Sequence, residues 1–164
     1  SSTASGAEGF IVLEAAKAAQ ADKSLDDVVK AAEEMKPRVK WLTVMQTLKY
    51  LIRCGRAPKA ALIGSWLGVR PLIGGVSGTG VVESIGKVRG AEKSIQKLVD
   101  MVADYIDPSQ PIHAFVHYTD DIQLGERVKK MVEEKYRCEE LYLTPYCPVM
   151  ACSTGPVMAI AFYQ

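Results

Sequence analysis

The chain has 164 residues, 48% of them hydrophobic and 24% charged, with 20 Lys and Arg against 19 Asp and Glu. That balance suits one globular domain or one lobe of a larger protein, and excludes a strongly basic nucleic-acid binder and an acidic disordered tail. No run of about 18 consecutive apolar residues occurs, so no transmembrane helix is expected, and Ser1–Gly9 has neither a basic n-region nor the small-residue cleavage site of a secretory signal.

Ser1–Gly9 is small and polar and reads as a loop. From Phe10 the apolar spacing (Leu13, Ala16, Ala19) turns helical. Ser24, with Asp27 three residues later, resembles a capping box. It opens a helix with Leu25, Val28, Val29, Ala32 and Met35 on one face, and Pro37 stops it. Val39–Met45 is β-branched and partly alternating, as in a strand. Leu48–Ile52 reads as a short helix ending at Gly55, and Pro58 opens another that runs to Leu67. Val69–Gly75 and Val81–Val88 read as strands of a hairpin turning at Ser77–Gly80. Ala91–Ile106 carries a helical stripe. Ile112–Tyr118 reads as a strand, Asp121–Tyr136 as an amphipathic helix and Glu140–Leu143 as a strand. Pro156–Tyr163 is almost continuously apolar and reads as a buried strand. Helices and strands are intermixed, which predicts an α+β or mixed α/β fold, with a sheet that contains a hairpin and is flanked by helices.

Cys54, Cys138, Cys147 and Cys152 form no C-x-x-C and fit no common zinc spacing, so buried reduced thiols in a cytoplasmic protein are expected. His113 and His117 share one face of a strand. A metal site needs a further convergent ligand, and two half-exposed strand histidines are the simpler reading. Gly75-x-x-Gly78-x-Gly80 lacks the Lys-Ser/Thr of a Walker motif and lies between strands, which removes it as a phosphate loop.

Three stretches have chemistry to offer. In Arg53-Cys54-Gly55-Arg56-Ala57-Pro58, a guanidinium sits beside a helix start, a pairing suited to a carboxylate or phosphate. The plain alternative is a solvated helix corner. Cys152-Ser153-Thr154-Gly155-Pro156 sets two hydroxyls before a break, either as oxyanion donors or as an ordinary turn in which Ser and Thr bond their own backbone. Ser1-Ser2-Thr3-Ala4-Ser5-Gly6 is an anion nest or an N-cap with a loose terminus.

Together these stretches resemble the DegV family. "LKYLIRCGRAPKAALIGSWLGVRPLI", Leu48–Ile73, is similar to its "tLeYLrkGGRI" run leading to "l.iKPIl". "GVVESIGKVRG", Gly80–Gly90, resembles its hairpin ending in "vRg". The opening resembles "DSxxxSxGxGxxVxxAA", and "CPVMACSTGPVMAIAFY" resembles "gpvigaHtGPGalaiafy". The resemblance covers the whole chain in order.

It implies a two-lobed α/β protein that holds a long-chain fatty acid between its lobes, with no other cofactor. The bound carboxylate is presented to a separate acyl kinase, so the chain itself is a lipid-binding subunit and not the enzyme. It further implies that Ser1, Ser5, Arg56, Ser153 and Thr154 belong to the ligand site, with Arg56 at the carboxylate and docking end. Ser153 stands where the family has histidine, Cys54 replaces the first glycine of "GGR", and Val157 replaces the last glycine of "GPG". The family's first strand and its "TSqPS" threonine do not occur. The resemblance therefore implies the C-terminal portion of a longer protein, unable to enclose a ligand alone. A stand-alone enzyme acting on a small carboxylated or phosphorylated metabolite and an interaction domain that has lost its ligand site remain the alternatives.

Overall fold

A computed structural model describes residues 2–56, 68–75 and 81–164. Ser1, the expected helix from Pro58 and the turn at Ser77–Gly80 lie outside these residues. The described elements are, in order, α1 (Ser5–Gln20), α2 (Leu25–Met35), β1 (Lys40–Met45), α3 (Lys49–Arg53), β2 (Val69–Gly75), β3 (Glu83–Arg89), α4 (Ala91–Asp100), a 3-10 turn (Met101–Tyr105), β4 (Ile112–Tyr118), α5 (Ile122–Lys135), β5 (Cys138–Pro145), α6 (Pro148–Thr154) and β6 (Val157–Tyr163).

The strands form a six-stranded sheet in the order β3-β2-β1-β6-β4-β5. β4 and β5 are parallel and are joined by the α5 crossover, whereas the other pairs are antiparallel. β6 lies centrally, between β1 and β4, and all seven of its residues are buried. Between Val157 and Tyr163 at its ends, its side chains divide by size. Met158, Ile160 and Phe162 point to the face covered by α4 and α5, where they pack with Ile95, Leu98, Val99, Val128 and Val132. Ala159 and Ala161 point to the other face, under α1, α2, α3 and α6. Burying each large apolar side chain is worth roughly 1.5–3 kcal/mol. The α4–α5 face therefore carries most of the core, and the opposite face is left with room.

Local chemistry sets the element ends. At α2 the capping box forms as expected: the Asp27 amide donates to Ser24 Oγ (3.2 Å) and the Ser24 hydroxyl donates to Asp27 Oδ2 (2.7 Å). The predicted Ala91–Ile106 helix is interrupted. The Tyr136 hydroxyl donates to the Val99 carbonyl (2.7 Å) and accepts from the Ala103 amide (3.2 Å), taking the place of the i to i+4 bond that would continue α4. The chain tightens into the 3-10 turn there.

Other expectations need correction. Cys152–Thr154 is not a turn but the end of α6. On that helix Met150, Ala151, Ser153 and Thr154 turn inward and Val149 and Cys152 outward, as its period dictates. The buried-thiol reading fails accordingly: Cys54, Cys147 and Cys152 are exposed and Cys138 is half-buried, all four as free thiols.

The Ser1–Gly9 loop is also shorter than predicted, because α1 begins at Ser5. Gly6 and Gly9 are helical because their side of α1 lies against β4. The Gly6 amide, one of the unpaired donors of a helix start, donates to His117 Nε2 at 3.1 Å. His117 is thus not half-exposed, at 4% accessible. With Nε2 accepting, Nδ1 carries the proton and donates to Thr144 Oγ1 (2.7 Å). Burial holds its pKa down at about 4, against the opposing pull of Thr144.

Two outcomes follow. A Cβ on Gly6 would lie 2.3 Å from His117 Nε2 and 2.8 Å from Phe115 Cβ, whereas one on Gly9 would meet Phe115 at an ordinary 3.8 Å. Urea unfolding should show Gly6→Ala destabilised by about 2 kcal/mol through overpacking, and Gly9→Ala stabilised by up to about 1 kcal/mol through helix propensity. Equal midpoints for the two variants would disprove the close α1–β4 seat.

Acid should act through His117. Its pKa is about 4 in the fold and about 6.5 in the unfolded chain, so the unfolded chain takes up the proton first as pH falls. The stability is fully present above pH 6.5 and is lost progressively toward pH 4, on the order of 3 kcal/mol in all. Unfolding free energies measured from pH 7.5 to 4 should show this slope, and His117→Gln should flatten it.

Candidate functional site: an apolar cleft with a cationic rim

The face of the sheet turned away from α4 and α5 carries a cleft of about 420 Å³, within the usual range of about 300–1,000 Å³ for small-molecule pockets. Trp41 of β1 and Ile73 and Gly75 of β2 form its floor, and Leu51, Val82 and Met150 add apolar wall. The Trp41 indole lies so close over Gly75 that a Cβ there would fall 2.2 Å from Nε1. Lys36, which is paired with Glu33 outside the lining, and Arg56 are the charged lining residues among those described, and no carboxylate is among them. The cleft therefore favours an apolar body with an anionic end.

The start of α1 supplies one rim through Ser2, Thr3 and Ala4. Ser2 and Ser5 have φ of 58° and 56°, left-handed values that few residues with side chains adopt. These bends turn the chain so that the positive end of the 16-residue α1 dipole stands at the cleft. α6 supplies another rim. Gly155, at φ 70° and ψ −161°, ends α6 in a conformation open only to glycine, and Tyr50 of α3 packs where its side chain would be. That contact holds α3 against α6. The Arg56 amide bonds back to the Leu51 carbonyl (2.8 Å), which brings Arg56 onto the cleft.

The residues singled out in the sequence meet here in part. Arg56, Ser153 and Thr154 line the cleft. Ser153 and Thr154 are buried, and both hydroxyls lie on the Met150 carbonyl, at 2.9 and 3.1 Å, so the plain reading of hydroxyls bonded to their own backbone holds for their protons. With their protons engaged in this way, each hydroxyl has an acceptor oxygen left to offer. Ser5 lies deeper, in an inner pocket of about 30 Å³ that shares Ala4, Trp41, Tyr146 and Met150 with the cleft. Ser1 falls outside the described residues.

Trp41, Thr43 and Tyr146 were not legible as site residues. The alternation of β1 puts Trp41 and Thr43 on one face, but only the sheet order shows that this face is the cleft. Tyr146 carries no sequence signal at all. Its burial raises its pKa to about 12, so the phenol stays protonated. His113, four residues before His117, is separate from the cleft. It bonds Glu140 through Nδ1 (2.8 Å), a contact that holds the Glu140 carboxyl below its usual range. Among the described residues no group of three His, Cys, Asp or Glu is placed to hold a metal, and no helix is long and apolar enough to cross a membrane.

Known proteins share this architecture. A family model described as an uncharacterised protein, DegV family, matches residues 1–164. A DegV domain-containing protein of Lactococcus lactis is 29% identical over 153 residues, which make up 93% of this chain and 52% of that protein. One from Clostridium acetobutylicum is 31% identical over 151 residues, 91% of this chain and 53% of that protein. The chain thus spans about half the length of these curated relatives. Among solved structures, a DegV family protein from Thermus thermophilus, described by its fatty acid binding, is similar with a TM-score of 0.86 at 24% identity, over 99% of this chain and 59% of that one. A DegV lipid-binding protein from Thermotoga maritima is similar with a TM-score of 0.85 at 19% identity, over 99% of this chain and 56% of that one. With the family model matched from end to end, and the mixed sheet and its flanking helices shared with these structures, the chain belongs to the DegV family.

Proposed function

We propose that this chain is the C-terminal portion of a fatty acid carrier and forms one wall of its ligand site. The observation that carries the reading is the cleft itself: a largely apolar hollow of about 420 Å³ whose charged lining residues, among those described, are Lys36 and Arg56. A long-chain acyl group is matched by Trp41, Leu51, Ile73 and Met150. Its carboxylate is matched by Arg56 and by the donor-rich start of α1. Ser5, Ser153 and Thr154 complete this wall, Ser1 is assigned to the ligand by the family resemblance alone, and the rest of the protein closes the other side.

In this reading the carrier is cytoplasmic and not itself the catalyst. It presents the carboxylate to a separate acyl kinase, which phosphorylates it. The buried histidine supports a passive role. Both its ring nitrogens are engaged, by the Gly6 amide and by Thr144, so it is not free to serve as a base. Arg56 is exposed and lies at the cleft, as a residue shared between ligand and docking partner must be.

Native mass spectrometry of the whole protein that carries this chain tests the carrier reading. A fatty-acid-sized adduct that is shed on denaturation is expected. A bare polypeptide that also fails to take up added palmitate would overturn the reading. Arg56→Ala tests the site. With kinase and ATP supplied, acyl phosphate formation should fall at least about tenfold, the loss expected for one charge-assisted bond, while the thermal midpoint holds. Unchanged formation would remove Arg56 from the site.

A further inference from the structure

Thr43 is the polar side chain in the cleft region whose burial the fold leaves unexplained. It is 1% accessible, on the central part of β1, and its Oγ1 has no hydrogen-bond partner among the described residues. Buried hydroxyls are nearly always paired, so an isolated one points to a partner that arrives from outside the chain. Thr43 lines the inner pocket of about 30 Å³, whose other walls include Ala159 and Ala161. That space is small and is enough for a group the size of a water or a hydroxyl. Ser5 and Tyr146 add hydroxyls to the same wall, while both nitrogens of His117 are already engaged.

The position of the pocket says which part of a ligand reaches it. Ala4 belongs to both the cleft and the inner pocket, Ser2 and Thr3 line the cleft just before it, and Ser5 lines the pocket just after it. The pocket therefore opens beside the start of α1, the end of the cleft assigned above to the carboxylate.

We propose that the inner pocket is a hydroxyl subsite, in which Thr43 Oγ1 hydrogen-bonds a hydroxyl group on C2 or C3 of the acyl ligand, so that the protein prefers 2- or 3-hydroxy fatty acids to their unsubstituted counterparts. This rests on the fatty acid reading and adds a substrate class to it. An alkyl branch of the same size fits the volume but leaves the Thr43 hydroxyl stripped of any partner. A hydroxyl both fits and pairs, donating to Oγ1 or accepting from it. A site built to pair with a substrate hydroxyl discriminates against the analogue that lacks it.

The test compares dissociation constants of palmitate, 2-hydroxypalmitate and 3-hydroxypalmitate for the whole protein and for two variants. Thr43→Val keeps the shape and removes the hydroxyl, whereas Thr43→Ser keeps the hydroxyl. The preference for at least one hydroxy acid over palmitate should fall about tenfold in Thr43→Val, the worth of one good hydrogen bond, and should persist in Thr43→Ser. An equal preference ratio in the parent and Thr43→Val would assign the pocket to bound water and overturn the inference, while leaving fatty acid binding intact. Failure of the parent protein to bind any of the three acids would instead overturn the carrier reading itself.

Discussion

The bond from the Gly6 amide to His117 Nε2 ties the first turn of α1 to the middle of the sheet. A helix start needs acceptors for its free amides, and a buried imidazole needs partners for both nitrogens. Each requirement meets the other here. The bond fixes the imidazole in one tautomer, neutral, with Thr144 on its far side. It requires glycine at position 6, because any side chain would occupy the place of the ring. It also decides where the chain before α1 runs, so Ser2, Thr3 and Ala4 come to the cleft instead of to solvent. The inner pocket exists because the same imidazole and the same first turn form part of its wall.

β6 gives the second constraint. It is buried on both faces but is not symmetrical in its middle, with Met158, Ile160 and Phe162 on one side and Ala159 and Ala161, between Val157 and Tyr163, on the other. Cavities cost stability because their lining loses contacts. The thick core against α4 and α5 offsets that cost, and the alanines leave the opposite side hollow. Across this hollow face runs one row of paired residues, Ile73, Thr43, Ala159, His117 and Thr144, from β2 to β5. The row joins the apolar floor to the polar groups beneath α1, so the division between core and site is a division between two faces of one strand.

The rim is uneven in charge. Ser153 stands where the resemblance places a histidine, and its hydroxyl is directed to the Met150 carbonyl, back into α6. Such a residue offers the cleft a lone pair and little charge. The cationic character of the site then falls to Arg56 and Lys36. Of the two, Lys36 is already paired with Glu33, which leaves Arg56 as the stronger attractor for an anionic end.

Much of the fold could be read from the chain. The capping box at Ser24, the alternation of β1, the amphipathic α5 and the apolar run of β6 each became the element that its local chemistry specifies, since caps and apolar periods act over a few residues. The sequence also pointed to Arg56, Ser153 and Thr154, which do meet at one cleft, and to a mixed α/β sheet with a hairpin. What it did not contain was decided between elements distant in the chain. α4 ends where the Tyr136 hydroxyl, 33 residues beyond Ala103, takes over a backbone bond. α1 starts early because His117, 111 residues away, accepts its amide. Trp41, Thr43 and Tyr146 became site residues only when β1 paired with β2 and β6 and α6 folded over them. Local propensity fixes which residues form an element and which face they share. Only packing fixes what that face meets, because the partner that satisfies a buried hydrogen bond or fills a hollow lies far along the chain.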